Sequence, residues 1–484
     1  MVCGLLAHVP AFTNKYLAAD DIYSLFSKNA TISSGRWALP LTSAIFPDYS
    51  MPWLNGILTL LLLSVAACIT AYVFDLKRPV EQVLCGGALT VFPALTATFG
   101  YMFTAPAYAA ALLLIVLGVY AVQKQSVVSS IAACVLFTLS FGIYQAYISF
   151  AACLFCLLLI KEFLFSERDT KNILLYALRM ALVAAAAGLL YLGINRLVMA
   201  VTGTAYNEYA VQNLNTGISS IPRDLLSAYT SFFAVFRYRY GYIPTLFCLL
   251  LYAVCMAGSA LILIPRWFRC KGIGRKAAVF VLLMLFPLAV NCLFLFVAPA
   301  AIHSLTQYAF VTIFLLFLMA VGQCGTLSRP RLRTICKSVT AAVALILICN
   351  IFYANQAYLD YQIRTDRTVA DYEQIVAMIE ADPSFTEGKK VAVIGSMHWS
   401  TDFYAYFGRA DTLTDIKSTV PGMYSWREVM KYRIGFDADF ATDEEIDGIR
   451  SLPAFADMPC FPYYGSVAEI GDCIVVKLSG DTAE

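Results

Sequence analysis

Apolar runs long enough to cross a bilayer recur through the first three quarters of the chain, separated by short polar breaks. A helix rising about 1.5 Å per residue needs about 20 such residues to cross about 30 Å of hydrocarbon. Runs of that kind occupy 53–74, 83–103, 105–122, 173–201, 244–265, 278–298, 308–324 and 338–358. Between them, 127–165 is almost uninterrupted for 39 residues, too long for one crossing. Its polar, aromatic break, Ser140-Phe141-Gly142-Ile143-Tyr144-Gln145, predicts a hairpin of two short helices turning at the far membrane surface. Composition agrees, with 60% of residues hydrophobic and 14% charged, against roughly 25% charged in soluble proteins. An ordinary soluble protein is excluded. The expected fold is an α-helical polytopic membrane protein of about 10–11 transmembrane helices.

Charge then orients the spans. The net charge of +2 conceals a split: residues 1–358 hold 23 Lys and Arg against 10 Asp and Glu, and 359–484 hold 11 against 22. Two solvents are being addressed, and the break predicts a transmembrane domain over 1–358 and a soluble domain over 359–484. The segments 266–276 and 329–337 carry nine basic residues and no acid, which keeps both loops cytoplasmic. The basic residues Lys77, Arg78, Lys124 and those between Lys161 and Lys171 extend the pattern, and parity then requires 127–165 to cross twice. Loops 15–52, 202–243 and 299–307 and the acidic tail fall outside the cytoplasm. Residues 1–14 would be a first crossing, although they are short and contain His8 and Pro10. A signal peptide is the competing reading of that segment, but it lacks a basic start and a small-residue cleavage site.

The tail reads as a small extracytoplasmic α/β domain. Val369, Tyr372, Ile375, Met378 and Ile379 have helical spacing over 367–381, while Lys390–Ser396 and Cys473–Leu478 have the look of buried strands. The Gly395-Ser396 ending of the first strand is set aside as a nucleotide-binding turn, since no GxGxxG follows and nucleotides are scarce outside the cytosol. Thirteen of the fifteen cysteines lie in or beside spans, where they act as small apolar residues, Cys153 and Cys156 included. Cys460 and Cys473 alone lie in the tail, where a disulfide between them is open.

Chemistry gathers on the outer side. Five acids occur in the outer loops before the tail, and two of them, Asp20 and Asp21, are adjacent. A carboxylate within hydrogen-bond reach of a sugar hydroxyl can take its proton as a C–O bond forms, the work expected of Asp20 and Asp21. Arginine stabilises charge on a leaving phosphate, the role expected of Arg36, Arg237 and Arg239. Trp37, Tyr144, Tyr238 and Tyr240 could stack on sugar rings, and Gln145, His303 and Gln307 could bond their hydroxyls. Plainer readings stand beside these. The aspartates could cap an interfacial helix, the run 237–242 could be an anchor belt, His303 could be a helix-end residue, and Asp48 after Pro47 could form a turn. Arg179 and Arg196 are expected to snorkel to the two interfaces. A divalent metal would need a third acid beside the pair, with Asp48, Glu208 and Asp224 as candidates, and a metal-free site without cofactor is favoured.

In combination these features carry a resemblance. An acidic pair after a first span, Gly35-Arg36-Trp37 some fifteen residues on, an outward Tyr144-Gln145 turn in a helical hairpin, about ten spans and an outer C-terminal domain resemble the bacterial O-antigen glucosyltransferases of serotype-converting type, in the glycosyltransferase C superfamily. The likeness is best at Asp20 to Trp53 and Ser140 to Ser149 and poor in the tail. It implies a polyprenyl-phosphate-linked sugar donor, with glucose as the sugar, and a glycan or glycolipid acceptor at the outer face of the bacterial plasma membrane. One of Asp20 and Asp21 would be the general base and the other would orient it or the acceptor. The lipid bilayer, a donor synthase and a donor flippase would be the partners, with no nucleic acid. Two rivals differ in class. A flippase would place ionisable groups near the midplane and show repeated halves, and a polysaccharide polymerase would centre on an Arg-rich outer loop without the acidic pair.

Overall fold

Proline, glycine and capping residues divide the apolar sequence into its helices. A computed structural model describes residues 1–25, 32–42, 45–46, 49–213, 220–237, 243–324, 330–386, 388–395 and 425–478, without the side chains of Ala19, Tyr209, Arg237 and Ala300. Its helices begin with α1 (Val2–Thr13), α2 (Ala19–Tyr23), α3 (Leu39–Thr42), α4 (Pro52–Val73), α5 (Pro79–Val91), α6 (Ala94–Gly100), α7 (Ala105–Gln123) and α8 (Val127–Ile143). They continue with α9 (Ile148–Phe165), α10 (Thr170–Thr202), α11 (Glu208–Asn213), α12 (Ile221–Ala234), α13 (Thr245–Arg269), α14 (Ile273–Val290), α15 (Thr312–Gly322) and α16 (Pro330–Glu380). Among the described residues eight helices are long and apolar enough to cross a membrane, and the bent pair α5 and α6 makes a ninth. The shorter apolar helices α1 and α8 complete a polytopic α-helical membrane fold.

Two departures from the expected spans have simple causes. The run 83–103 bends by 45° between α5 and α6, because Pro93 follows Phe92 and cannot donate the backbone hydrogen bond that would continue the helix. The last helix does not stop at Tyr358, where its apolar stretch ends. Residues 331–380 contain neither proline nor glycine, so α16 runs unbroken for 51 residues, about 76 Å at helical rise, and absorbs the helix expected over 367–381. The division at residue 358 therefore falls inside a helix.

The hairpin over 127–165 forms as its pattern predicts. Ser126 caps α8 by accepting from the Ser129 amide at 3.0 Å, and the chain reverses through Tyr144 and a short 3-10 turn, Gln145–Tyr147, into α9. In the bundle α4 packs on α7, α7 on α8, α9 on α14, and α13 on α16. Helix α1 lies within this core. His8 is fully buried, its Nε2 donating to the Thr90 carbonyl at 3.0 Å and its Nδ1 accepting from the Tyr358 hydroxyl at 2.7 Å. A polar side chain that argued against a span from sequence is accommodated because both ring nitrogens are bonded.

The tail has a three-stranded sheet. Strands β1 (Lys390–Ile394), β2 (Val467–Ile470) and β3 (Cys473–Lys477) lie in the order β1-β3-β2, parallel between β1 and β3 and antiparallel between β2 and β3. The β2–β3 turn uses Gly471 at φ 62°, where a side chain would be strained. Tyr372, Ile375, Val376 and Ile379 line one face of α16 and pack with the sheet in a core separate from that of the bundle. Cys460 and Cys473 are both free; Cys473 is buried at the start of β3.

Candidate functional site

Helix α2 is one turn long, and its two aspartates face different surroundings because adjacent helical side chains diverge by about 100°. Asp21 is 4% exposed and fully engaged. The Ser50 hydroxyl reaches both of its oxygens at 2.7 Å, the Phe103 amide donates to Oδ1 at 3.1 Å, and Lys15 forms an ion pair with Oδ2. Lys15 also donates to Ser50. Three backbone segments thereby meet at one carboxylate. Asp20 is half-buried and acts electrostatically on the Arg36 guanidinium.

Arg36 sits in an aromatic box. Its Nη1 donates to the Tyr108 hydroxyl at 2.9 Å and its guanidinium carbon lies 5.0 Å over the Tyr144 ring. Tyr144 in turn stacks on Tyr108 with centroids 4.4 Å apart. Burial by itself loosens the hold of the guanidinium on its proton, but Tyr108, Tyr144, Tyr101 and Asp20 more than restore it, so Arg36 remains a cation. A desolvated cation over an aromatic face is held more strongly than an exposed one. Among the described residues the Arg36 Nε, though buried, has no hydrogen-bond partner.

The backbone around Arg36 is pinned on several sides. Gln145 Nε2 donates to the Ser34 carbonyl at 2.8 Å, Tyr191 to that of Gly35 at 3.1 Å, and the Ala38 amide to that of Gly142 at 2.9 Å. Asn207 reaches Ser33 and Ser34 from the loop after α10. Gly142 is required by the close approach of Trp37, whose ring lies 2.6 Å from where a Cβ would stand. Gly142→Ala should displace Trp37 and lower stability by about 1–3 kcal/mol, the usual cost of overpacking. Thermal unfolding in detergent measures the change.

The sequence-predicted residues divide accordingly. Asp20, Asp21, Arg36, Trp37, Tyr144 and Gln145 come together at one end of the bundle. Trp37 and Tyr144, expected to stack on a sugar, are buried among protein groups, Trp37 against Gly142 and Tyr144 beneath Arg36. Gln145 keeps a buried Oε1 with no partner among the described residues. The half-buried His303 and Gln307 lie on the 3-10 segment around Ser304–Val311, which packs against α6 and the Gln145–Tyr147 turn. The side chain of Arg237 and all of Tyr238, Arg239 and Tyr240 lie outside the described residues, as does Asp48. Of the other candidate metal ligands, Glu208 is exposed at the start of α11, and Asp224 is buried beside Arg223. Among the described residues no three His, Cys, Asp or Glu side chains converge.

Sequence reasoning missed Lys15, Ser50, Tyr108 and Tyr191. Lys15 carried a weak signal as a lone cation six residues before Asp21, whereas Tyr108 and Tyr191 lie in apolar spans with nothing local to mark them.

An acidic helix and a caged arginine at one end of a multi-pass helical bundle define a membrane protein with a polar site at its surface, suited to group transfer. The chain belongs to a family of glucosyltransferases: residues 9–318, well over half of it, match the family model described as Glucosyl transferase GtrII. It is a membrane glucosyltransferase, and its family is the one the sequence resembles. The matched region contains α2, Arg36 and the α8–α9 turn and ends before α16. No curated protein and no solved structure matches the chain.

Proposed function

We propose that the protein transfers glucose from a polyprenyl-phosphate donor to a glycan or glycolipid acceptor at the outer face of the bacterial plasma membrane, with Asp20 as general base. The observation that carries this reading is the division of labour between the aspartates. Asp21 is a structural anchor held by Lys15, Ser50 and Phe103, whereas Asp20 is the more exposed of the two and acts on Arg36, the cation assigned to the leaving phosphate. Asp20 takes the proton of an acceptor hydroxyl as its oxygen attacks the anomeric carbon. The bond from that carbon to the phosphate oxygen breaks, and its electron pair leaves with the lipid phosphate, whose charge Arg36 stabilises. Attack opposite the leaving group inverts the anomeric centre.

The depth of the site supports a lipid-linked donor. The apolar stretch of α16 ends near Tyr358, and Thr365, which bonds to the backbone beside α2, lies seven residues further, about 10 Å beyond the hydrocarbon edge. That is headgroup height. We place the tail and the site outside the cytoplasm because the basic loops 266–276 and 329–337 lie at the other ends of the spans. Nucleotide sugars are scarce there, so a lipid phosphate is the activated leaving group at hand, delivered by a donor synthase and flippase. Pairing of Asp21 with Lys15 leaves less negative charge at the pair to hold a divalent cation, which favours a mechanism without metal.

The test supplies purified protein with polyprenyl-phosphate glucose or with a nucleotide-activated glucose, plus acceptor glycolipid. Transfer from the lipid donor alone, unaffected by chelator, is expected. Transfer from the nucleotide sugar alone overturns the donor assignment.

A further inference from the structure

The helix that carries the acids is gripped from the tail. Leu17 and Ile22, on either side of Asp20 and Asp21, are each 2% exposed and belong to the apolar core of the C-terminal domain, with Tyr372, Ile375 and Ile379 of α16 and the strands β1 and β3. Leu25 packs against the same core. The Leu17 amide donates to Thr365 Oγ1 of α16 at 3.1 Å. The neighbouring Arg364 is buried and pairs with Asp360 one turn earlier in α16 at 3.0 Å, which reinforces that turn of the helix. One turn earlier Tyr361 packs on Tyr16 with centroids 5.3 Å apart, and its hydroxyl closes on Gly100.

A helix of five residues without a side-chain N-cap does not hold its own orientation in water. Asp21 anchors α2 to the membrane domain through Ser50 and Phe103, and Leu17 and Ile22 anchor it to the tail. Asp20 lies between the two attachments. The family match includes α2 but stops before α16, so the second attachment is made by a part of the chain outside the matched region.

We propose that α16 and the C-terminal domain are a positioning device for the active site: the seating of Leu17 and Ile22 against Thr365 and the sheet core sets where the Asp20 carboxylate points, and the tail is thereby part of the catalytic unit. This rests on the reading of Asp20 as base. Thr365 and Ile22 are positioning residues that touch no substrate.

The experiment uses the full-length protein and the substitution Thr365→Val, which keeps the shape of the side chain and removes the acceptor for the Leu17 amide. Misplacing a catalytic group by a fraction of an ångström is expected to lower kcat by about tenfold, with the donor KM unchanged. Thr365→Ser, which keeps the hydroxyl, restores the rate. In an Asp20→Asn background Thr365→Val has no further effect, because the group it positions is gone. If Thr365→Val fails to fold by thermal unfolding, Ile22→Val, which trims one methyl group from the same seat, shows the same pattern more weakly. An unchanged kcat in the folded variant overturns the proposal, as does an equal fractional loss in the wild-type and Asp20→Asn backgrounds. Failure of the base reading is seen separately, as an Asp20→Asn protein that turns over at the wild-type rate.

Discussion

Asp20→Asn is expected to lower kcat by about 10²- to 10⁴-fold, the range that a positioned general base contributes, while the protein folds and binds donor as before. The amide nearly matches the carboxylate in shape but cannot accept the acceptor's proton. Because Asp20 is half-buried and the substitution keeps the shape of the side chain, less stability should be lost than in Asp21→Asn. Asp21→Asn is the informative contrast. Removing that charge leaves the largely buried Lys15 ammonium, 20% exposed, without its counterion, so loss of thermal stability should come first and loss of turnover should follow from it. Kinetics and unfolding measured on both variants separate base from anchor. A folded Asp20→Asn enzyme with wild-type kcat would sink the assignment.

The second large effect concerns Arg36. Arg36→Gln is expected to lower kcat by about 10²- to 10³-fold, since a cation aimed at a leaving phosphate acts most strongly where charge develops in a water-poor site. Lysine should not rescue it. A guanidinium donates to Tyr108 and sits over the Tyr144 ring at once, whereas an ammonium is a compact point charge without the planar face. The measurement that decides is kcat with donors of differing leaving-group charge: the defect should shrink when the phosphate is replaced by a leaving group that carries less charge. An equal defect with both donors would make Arg36 a purely structural cation.

The multi-pass architecture was legible because lipid imposes length and apolarity on each crossing. The hairpin at 127–165 was readable from its excess length and the polar break at Ser140–Gln145, and the turn stands at Tyr144–Tyr147. The bend at Pro93 was written in the sequence as a proline inside an apolar run, yet it was passed over because the run had the right length for one span. The helix that carries the last span outruns its apolar stretch for the opposite reason. Polarity rises after Tyr358, but polarity does not stop a helix, and α16 continues until the turn before Pro383.

For the candidate site, residue type and spacing were enough to single out the acidic pair, Gly35-Arg36-Trp37 and Tyr144-Gln145, which the fold brings together. Sequence could not rank Asp20 against Asp21, since the two are chemically identical and their difference lies in partners up to 82 residues away. It could not foresee that Tyr144 and Trp37 are buried, because aromatic side chains near a membrane surface look alike in sequence whether they face a ligand or a neighbouring helix. Nor could it join α2 to the tail across the 348 residues between Leu17 and Thr365.

What the sequence determined by itself was therefore what a local rule enforces: the multi-pass helical class, most of its apolar helices and the chemical character of the loops between them. Only the tertiary structure decided which carboxylate is tied down, what encloses Arg36, and that the acidic helix bridges two cores. Those are questions of long-range contact, settled by packing and by which buried polar groups find partners, and no window of residues along the chain contains the answer.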